Sequence, residues 1–109
     1  MKKVCIQGLG FVGSAMAIAV ANAKNRDNQL LYDVVGIDLD NDFGNKRIGL
    51  LNKGIFPFAT EDPNIKEALK LSIENSNFKA TSSPLEYRNA DIVLVDIHLD
   101  IPFKDEEPK

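Results

Sequence analysis

The strongest constraint on this chain lies in six residues, Gly8-Leu9-Gly10-Phe11-Val12-Gly13, a G-x-G-x-x-G pattern set between two segments of different character. Glycine triplets of this spacing arise by chance in loops, so the flanks decide what the pattern means. Ahead of it, Lys3 to Gln7 is a short β-branched and apolar run, the composition of a strand buried on both faces of a parallel sheet. Behind it, Phe11 to Ala23 is small and apolar, with Ala15, Ala17, Ala19, Ala21 and Ala23, which suits a helix lying close against a sheet. The polar stretch Lys24 to Gln29 closes that helix. Asp33-Val34-Val35-Gly36-Ile37-Asp38 then reads as a second buried strand ending in an acid. The chain up to Asp38 is thus one βαβ unit, with the glycines where the first strand passes into the helix.

That placement gives each glycine a task. Gly8 permits the tight turn, Gly10 lets the backbone approach a pyrophosphate, and Gly13 allows the helix to pack closely. Phe11 and Val12 complete the turn at the helix N-terminus, where free N–H groups and the positive end of the dipole favour an anion. Asp38 stands 25 residues past Gly13, against a usual spacing of about 20. A surface loop over Lys24 to Asp33 absorbs the excess. A carboxylate at that strand end accepts hydrogen bonds from ribose hydroxyls and repels a 2′-phosphate, which favours NAD over NADP.

The rest of the chain continues the alternation. Phe43 to Lys53 carries Ile48, Leu50 and Leu51 and stops at Gly54, which predicts a short helix with glycine at C′. Asp62 before Pro63 matches an N-cap and first-turn proline, and Ile65, Ala68, Leu69 and Ile73 recur at helical spacing. Capping explains Asp62 better than a paired-carboxylate site with Glu61 does. Phe78 to Thr81 is a weak strand, Ser83-Pro84-Leu85-Glu86 is a capping box that opens a brief helix to Arg88, and Asp91 to Ile97 is the last strand. The expected fold is α/β, a Rossmann-type parallel sheet of order 3-2-1-4 with flanking helices, truncated after the fourth strand.

Composition narrows the partners. A chain of 109 residues fits one domain. Its net charge of −3 leaves no electrostatic footprint for nucleic acid. One cysteine and one histidine exclude a disulfide framework and a four-ligand structural zinc site. Gln7, Gly8 and Gly10 interrupt the apolar run a signal peptide would need, and no window reaches the length of a membrane span. A reducing, cytoplasmic setting is expected. Cys5, mid-strand between Val4 and Ile6, reads as a buried small hydrophobe rather than a nucleophile.

The ordered set Gly8-Leu9-Gly10-Phe11-Val12-Gly13, Gly36-Ile37-Asp38, Arg47-Ile48, Leu51-Asn52-Lys53-Gly54, Pro57, Ala80-Thr81-Ser82 and Ala90-Asp91-Ile92-Val93 resembles the N-terminal domain of the nucleotide-sugar dehydrogenases. Within that group lie the UDP-glucose and UDP-N-acetylmannosamine 6-dehydrogenases. The resemblance implies NAD as cofactor, a nucleotide-sugar substrate bound by a domain absent from this chain, and a homo-oligomer. It implies oxidation of a sugar C6 hydroxyl to a carboxylate with two NAD. The catalytic cysteine and lysine it implies lie beyond residue 109, so no residue here is assigned a catalytic role. Asp38 is expected on the adenosine ribose and Arg47 beside the adenosine. Two departures stand out: extra residues around Asn41 to Asn45, and Ile97-His98-Leu99-Asp100 where the family commonly has proline-threonine-proline. His98 follows the last strand on the side where such sheets bind ligands, though a loop histidine is the simpler reading. Two further readings are open. One is a non-catalytic module that senses NAD to regulate a partner, and the other, disfavoured by the glycine spacing, is a methyltransferase-like cofactor site.

Overall fold

A computed structural model describes residues 1–96. Its elements run β1 (Lys2–Gln7), α1 (Phe11–Ala21), β2 (Tyr32–Ile37), α2 (Asp42–Asn52), α3 (Pro63–Glu74), β3 (Phe78–Thr81), a 3₁₀ helix (Pro84–Asn89) and β4 (Ile92–Val95). The four strands form one parallel sheet in the order β3-β2-β1-β4, the order expected. Ile97 to Asp100, His98 among them, lie outside the described residues.

Pleat parity sorts the strand side chains onto two faces. Val4 and Ile6 of β1, Val34 of β2, and Phe78 and Ala80 of β3 point to one face, where they meet Ala17, Ile18 and Ala21 of α1, Leu51 of α2 and Leu69 of α3. Cys5, Val35 and Ile37 point to the other face, where among the described residues the hydrophobic side chains packed against them are Tyr87 and Ala90. The first face holds a deep core and the second a thin one, covered by the 3₁₀ helix. Gly36 keeps the first face shallow, since a Cβ there would stand 2.6 Å from a methyl of the buried Leu9.

Local chemistry sets where elements end. Helix α1 stops at Ala21, short of the expected Ala23, because the Asn22 amide donates to the Ile18 carbonyl at 2.8 Å and to the Ala68 carbonyl of α3 at 3.0 Å. The excess residues before β2 fold into a small excursion. Lys24 bridges Leu30, and the Asn25 side chain accepts from the N–H groups of Asp27 and Gln29. Helix α2 begins at an Asn41 cap and ends as predicted on Gly54, at φ +79°, with Gly54 donating to Leu51 and Ile55 to Leu50. The last α2 residue, Asn52, turns its amide onto the outer rim of β3. It donates to the Ala80 carbonyl at 2.9 Å and accepts from the Ala80 N–H at 2.8 Å, occupying backbone groups that a further strand would use.

Candidate dinucleotide-binding site

The strand order reverses its direction of winding between β1 and β4, and ligands of open α/β sheets bind in the crevice beyond the strand ends at such a point. A cavity of about 930 Å³ lies there. The glycine turn lines one part of it and Asp38, Leu39 and Arg47 another.

The turn is built as its sequence demands. Gly8 sits at φ +97°, a conformation that side chains strain to adopt, and its N–H donates to the Ile37 carbonyl at 2.8 Å. A Cβ on Gly13 would collide with the Gly8 carbonyl oxygen, so only glycine lets α1 start this close to the strand. At Gly10 nothing lies within 4 Å of a hypothetical Cβ, which leaves the backbone open to a ligand. The buried Ser14 stiffens the turn by donating its hydroxyl to the Leu9 carbonyl at 3.0 Å.

The helix termini separate this site from the rest of the fold. Helix α2 is capped by the Asn41 side chain, α3 by Asp62 and the 3₁₀ helix by Ser83. Helix α1 has Gly10 at its N-cap, no side-chain cap and no acidic residue in its first turn. Its first N–H groups therefore lack an internal acceptor and face the cavity with the positive end of the dipole. A pyrophosphate fits that need, and the glycines leave room for it.

Asp38 closes the other end. One carboxylate oxygen accepts from the Leu39 N–H at 2.8 Å, and the other lies 3.3 Å from the Leu9 nitrogen and 3.4 Å from Nη1 of Arg47. The extra residues around Asn41 to Asn45 are taken into the first turn of α2, which Asn41 caps, and Arg47 later in that helix reaches Asp38. Asp62 takes its capping role, accepting from the Asn64 N–H at 2.9 Å. No group of metal-ligating side chains forms among the described residues, and no helix there is long and apolar enough to cross a membrane.

Among the cavity residues absent from the sequence expectations are Phe58 and Asp96. Phe58 lies beneath the Arg47 guanidinium, whose carbon stands over the ring 5.6 Å from its centre. Asp96, just past β4, donates its N–H to the Gln7 carbonyl at 2.8 Å, and a carboxylate oxygen lies 3.0 Å from the point a Gly13 Cβ would occupy. No local periodicity marks either residue, since both reach the site through long-range packing.

Comparison with known proteins meets the same geometry. The family model for the NAD binding domain of the UDP-glucose/GDP-mannose dehydrogenase family matches residues 2–107. A UDP-N-acetyl-D-mannosamine dehydrogenase of Methanococcus maripaludis is 30% identical over 86 residues, which are 79% of this chain and 17% of that protein. The fold is shared with an NDP-N-acetyl-D-galactosaminuronic acid dehydrogenase of Methanosarcina mazei Go1, at TM-score 0.79 and 24% identity over 90% of this chain and 20% of that one. It is shared also with a UDP-D-ManNAc dehydrogenase of Pyrococcus horikoshii, at TM-score 0.70 and 23% identity over 87% and 20%. The chain spans about a fifth of the length of these relatives. An uncapped helix behind a glycine turn, an acid at the end of β2 and a family match over nearly every residue agree: the chain belongs to the UDP-glucose/GDP-mannose dehydrogenase family, in the region of its NAD binding domain.

Proposed function

We propose that this chain is the NAD-binding portion of a nucleotide-sugar 6-dehydrogenase, which oxidises the C6 hydroxyl of a UDP-sugar to a carboxylate with two NAD. The observation that carries this reading is the uncapped N-terminus of α1, opening on a cavity that ends at Asp38. Gly8, Gly10, Phe11, Val12 and Gly13 receive the pyrophosphate, Asp38 accepts from the adenosine ribose hydroxyls, and Arg47 stands beside the adenosine. Bound NAD supplies the hydride acceptor, and this chain's residues bind and orient it. They do not carry the covalent step, since the thiol of Cys5 is fully buried in β1. The sugar is held by a domain beyond residue 109, in a cytoplasmic homo-oligomer.

Calorimetric titration with NAD and NADP tests the reading on the full-length enzyme and its Asp38→Ala variant. The substitution leaves ribose hydroxyls unpaired and weakens NAD binding by about 1 to 3 kcal/mol. It also narrows the preference for NAD over NADP, because the charge opposing a 2′-phosphate is gone. Equal NAD affinity and an equal NAD/NADP ratio in the two proteins would show that Asp38 is misassigned. A second reading, a non-catalytic NAD-sensing module, draws on Ile97-His98-Leu99-Asp100, which lacks the hydroxyl expected to face the cofactor. Extending the chain through the encoding gene and assaying NADH formation with UDP-sugars separates the two.

A further inference from the structure

Phe58 lies in the connection between α2 and α3, where no helix or strand holds it, yet its ring is fixed from two sides. It stands 5.6 Å from Phe56 and 5.7 Å from Phe11, and Phe11 meets Phe56 edge-on at 5.4 Å, so the three rings close a triangle. Phe56 belongs to the deep core and anchors the triangle there. Phe11 is the first residue of α1, between Gly10 and Gly13 of the glycine turn. On its remaining side, Phe58 carries the Arg47 guanidinium.

Arg47 needs such support. Its contact with Asp38, at 3.4 Å, exceeds the range of about 2.7 to 2.9 Å typical of a strong charge-assisted bond and does not alone fix a long flexible side chain. A guanidinium held over an aromatic face gains a second attraction that restrains its position. We propose that Phe58 is a positioning residue of the dinucleotide site. It holds Arg47 beside Asp38 and, through Phe11 and Phe56, ties the ribose end of the cavity to the turn that receives the pyrophosphate. This rests on the reading that NAD occupies the crevice. The spacing between the two ends is then set by aromatic packing as well as by the sheet.

The test compares Phe58→Leu, Phe58→Tyr, Arg47→Ala and the Phe58→Leu/Arg47→Ala double variant by NAD titration, with NMR of the arginine side chains in the absence of ligand. Phe58→Leu is expected to weaken NAD binding about two- to fivefold, the worth of one exposed cation–π contact. Phe58→Tyr restores the affinity, and the double variant binds no more weakly than Arg47→Ala alone. Without ligand, the Arg47 side-chain protons, shifted by the ring in the parent protein, move to ordinary positions in Phe58→Leu and stay shifted in Phe58→Tyr. Unchanged affinity or unmoved Arg47 resonances in Phe58→Leu overturns the positioning role alone. Losses that add in the double variant do the same, since they mean the ring acts apart from Arg47. A full-length parent protein that does not saturate with NAD overturns the cofactor reading, and the positioning role with it.

Discussion

Asp38 has its carboxylate aimed before any ligand arrives, by the Leu39 and Leu9 backbone and by Arg47. Its position was legible in the sequence because a strand that ends in an acid at about the right distance from a glycine turn admits few alternatives. Asp96 was not legible, because nothing in Asp91 to Asp96 distinguishes an acid beside the turn from an acid in solvent. Its carboxylate lies beside the glycine turn, at the part of the cavity proposed above to receive the doubly charged pyrophosphate. Asp96→Asn is therefore expected to tighten NAD binding by about 1 kcal/mol at low salt, the repulsion of like charges several ångströms apart at an intermediate dielectric. The gain shrinks as salt screens it. Equal affinities for the two proteins across a salt series would show that the carboxylate does not feel the phosphates. Cys5 behaves oppositely to a reactive thiol. Burial pushes its pKa up, partly offset by Lys3 and reinforced by Glu86. The folded protein holds the thiol proton more tightly than the unfolded chain, so this contribution to stability is present below about pH 8.5 and is lost as pH rises through the raised value. A colorimetric disulfide reagent should leave Cys5 unmodified in the native protein and react at once in denaturant. Rapid native reaction would contradict a closed strand.

At the level of elements, the 3₁₀ helix shows how a correct local signal can hide a tertiary one. Ser83 caps it as the S-x-x-E pattern predicts, accepting from the Leu85 N–H. The reciprocal half of the capping box does not form. The Glu86 carboxylate turns away to Lys3 of β1 at 2.8 Å and Lys79 of β3 at 3.1 Å. Two lysines far apart in sequence outbid one nearby N–H, and only the fold brings them together. The result pins the helix over Cys5, Val35 and Ile37, and its Pro84 and Tyr87 line the cavity. Hydrogen bonds from Lys3, then Lys79, hold the Glu86 pKa below its usual value. The stabilisation is therefore present above about pH 4.3, the ordinary glutamate value, and is lost as pH falls through the lowered one. Lys3, raised chiefly by its bond to Glu86, loses its share only as pH climbs past about 10.4. In a thermal-denaturation series from about pH 3 to 7, Glu86→Gln should lose less stability than the parent toward the acid end. Parallel curves for the two proteins would show that the Glu86 contacts with Lys3 and Lys79 do not stabilise the fold. Helices and strands themselves were legible because period and glycine placement are local, and α1 ran short because the Asn22 bond to Ala68 is not.

Across the whole molecule, the helices crowd one face of the sheet while the other carries only the 3₁₀ helix among the described residues. Parallel sheets of this class are normally covered on both faces. Strand β4 is the weak border. Ile92, Val93 and Val95 are 38%, 45% and 52% exposed, and no described residue pairs with its outer edge. The purified 109-residue chain is expected to self-associate through this strand, and Val95→Lys to suppress the association. Concentration-independent sedimentation as a monomer, with the β4 amides exchanging freely, would refute it. The amide of Asn52 on Ala80 sets how far such association can run. It stoppers the opposite rim of the sheet at Ala80, so that among the described residues β4 is the open border and β3 the blunt one. Two copies joined β4 to β4 about a two-fold axis use up both adhesive borders. The product is a closed pair with mass that levels off at twice the monomer, rather than a ribbon that lengthens as protein is added.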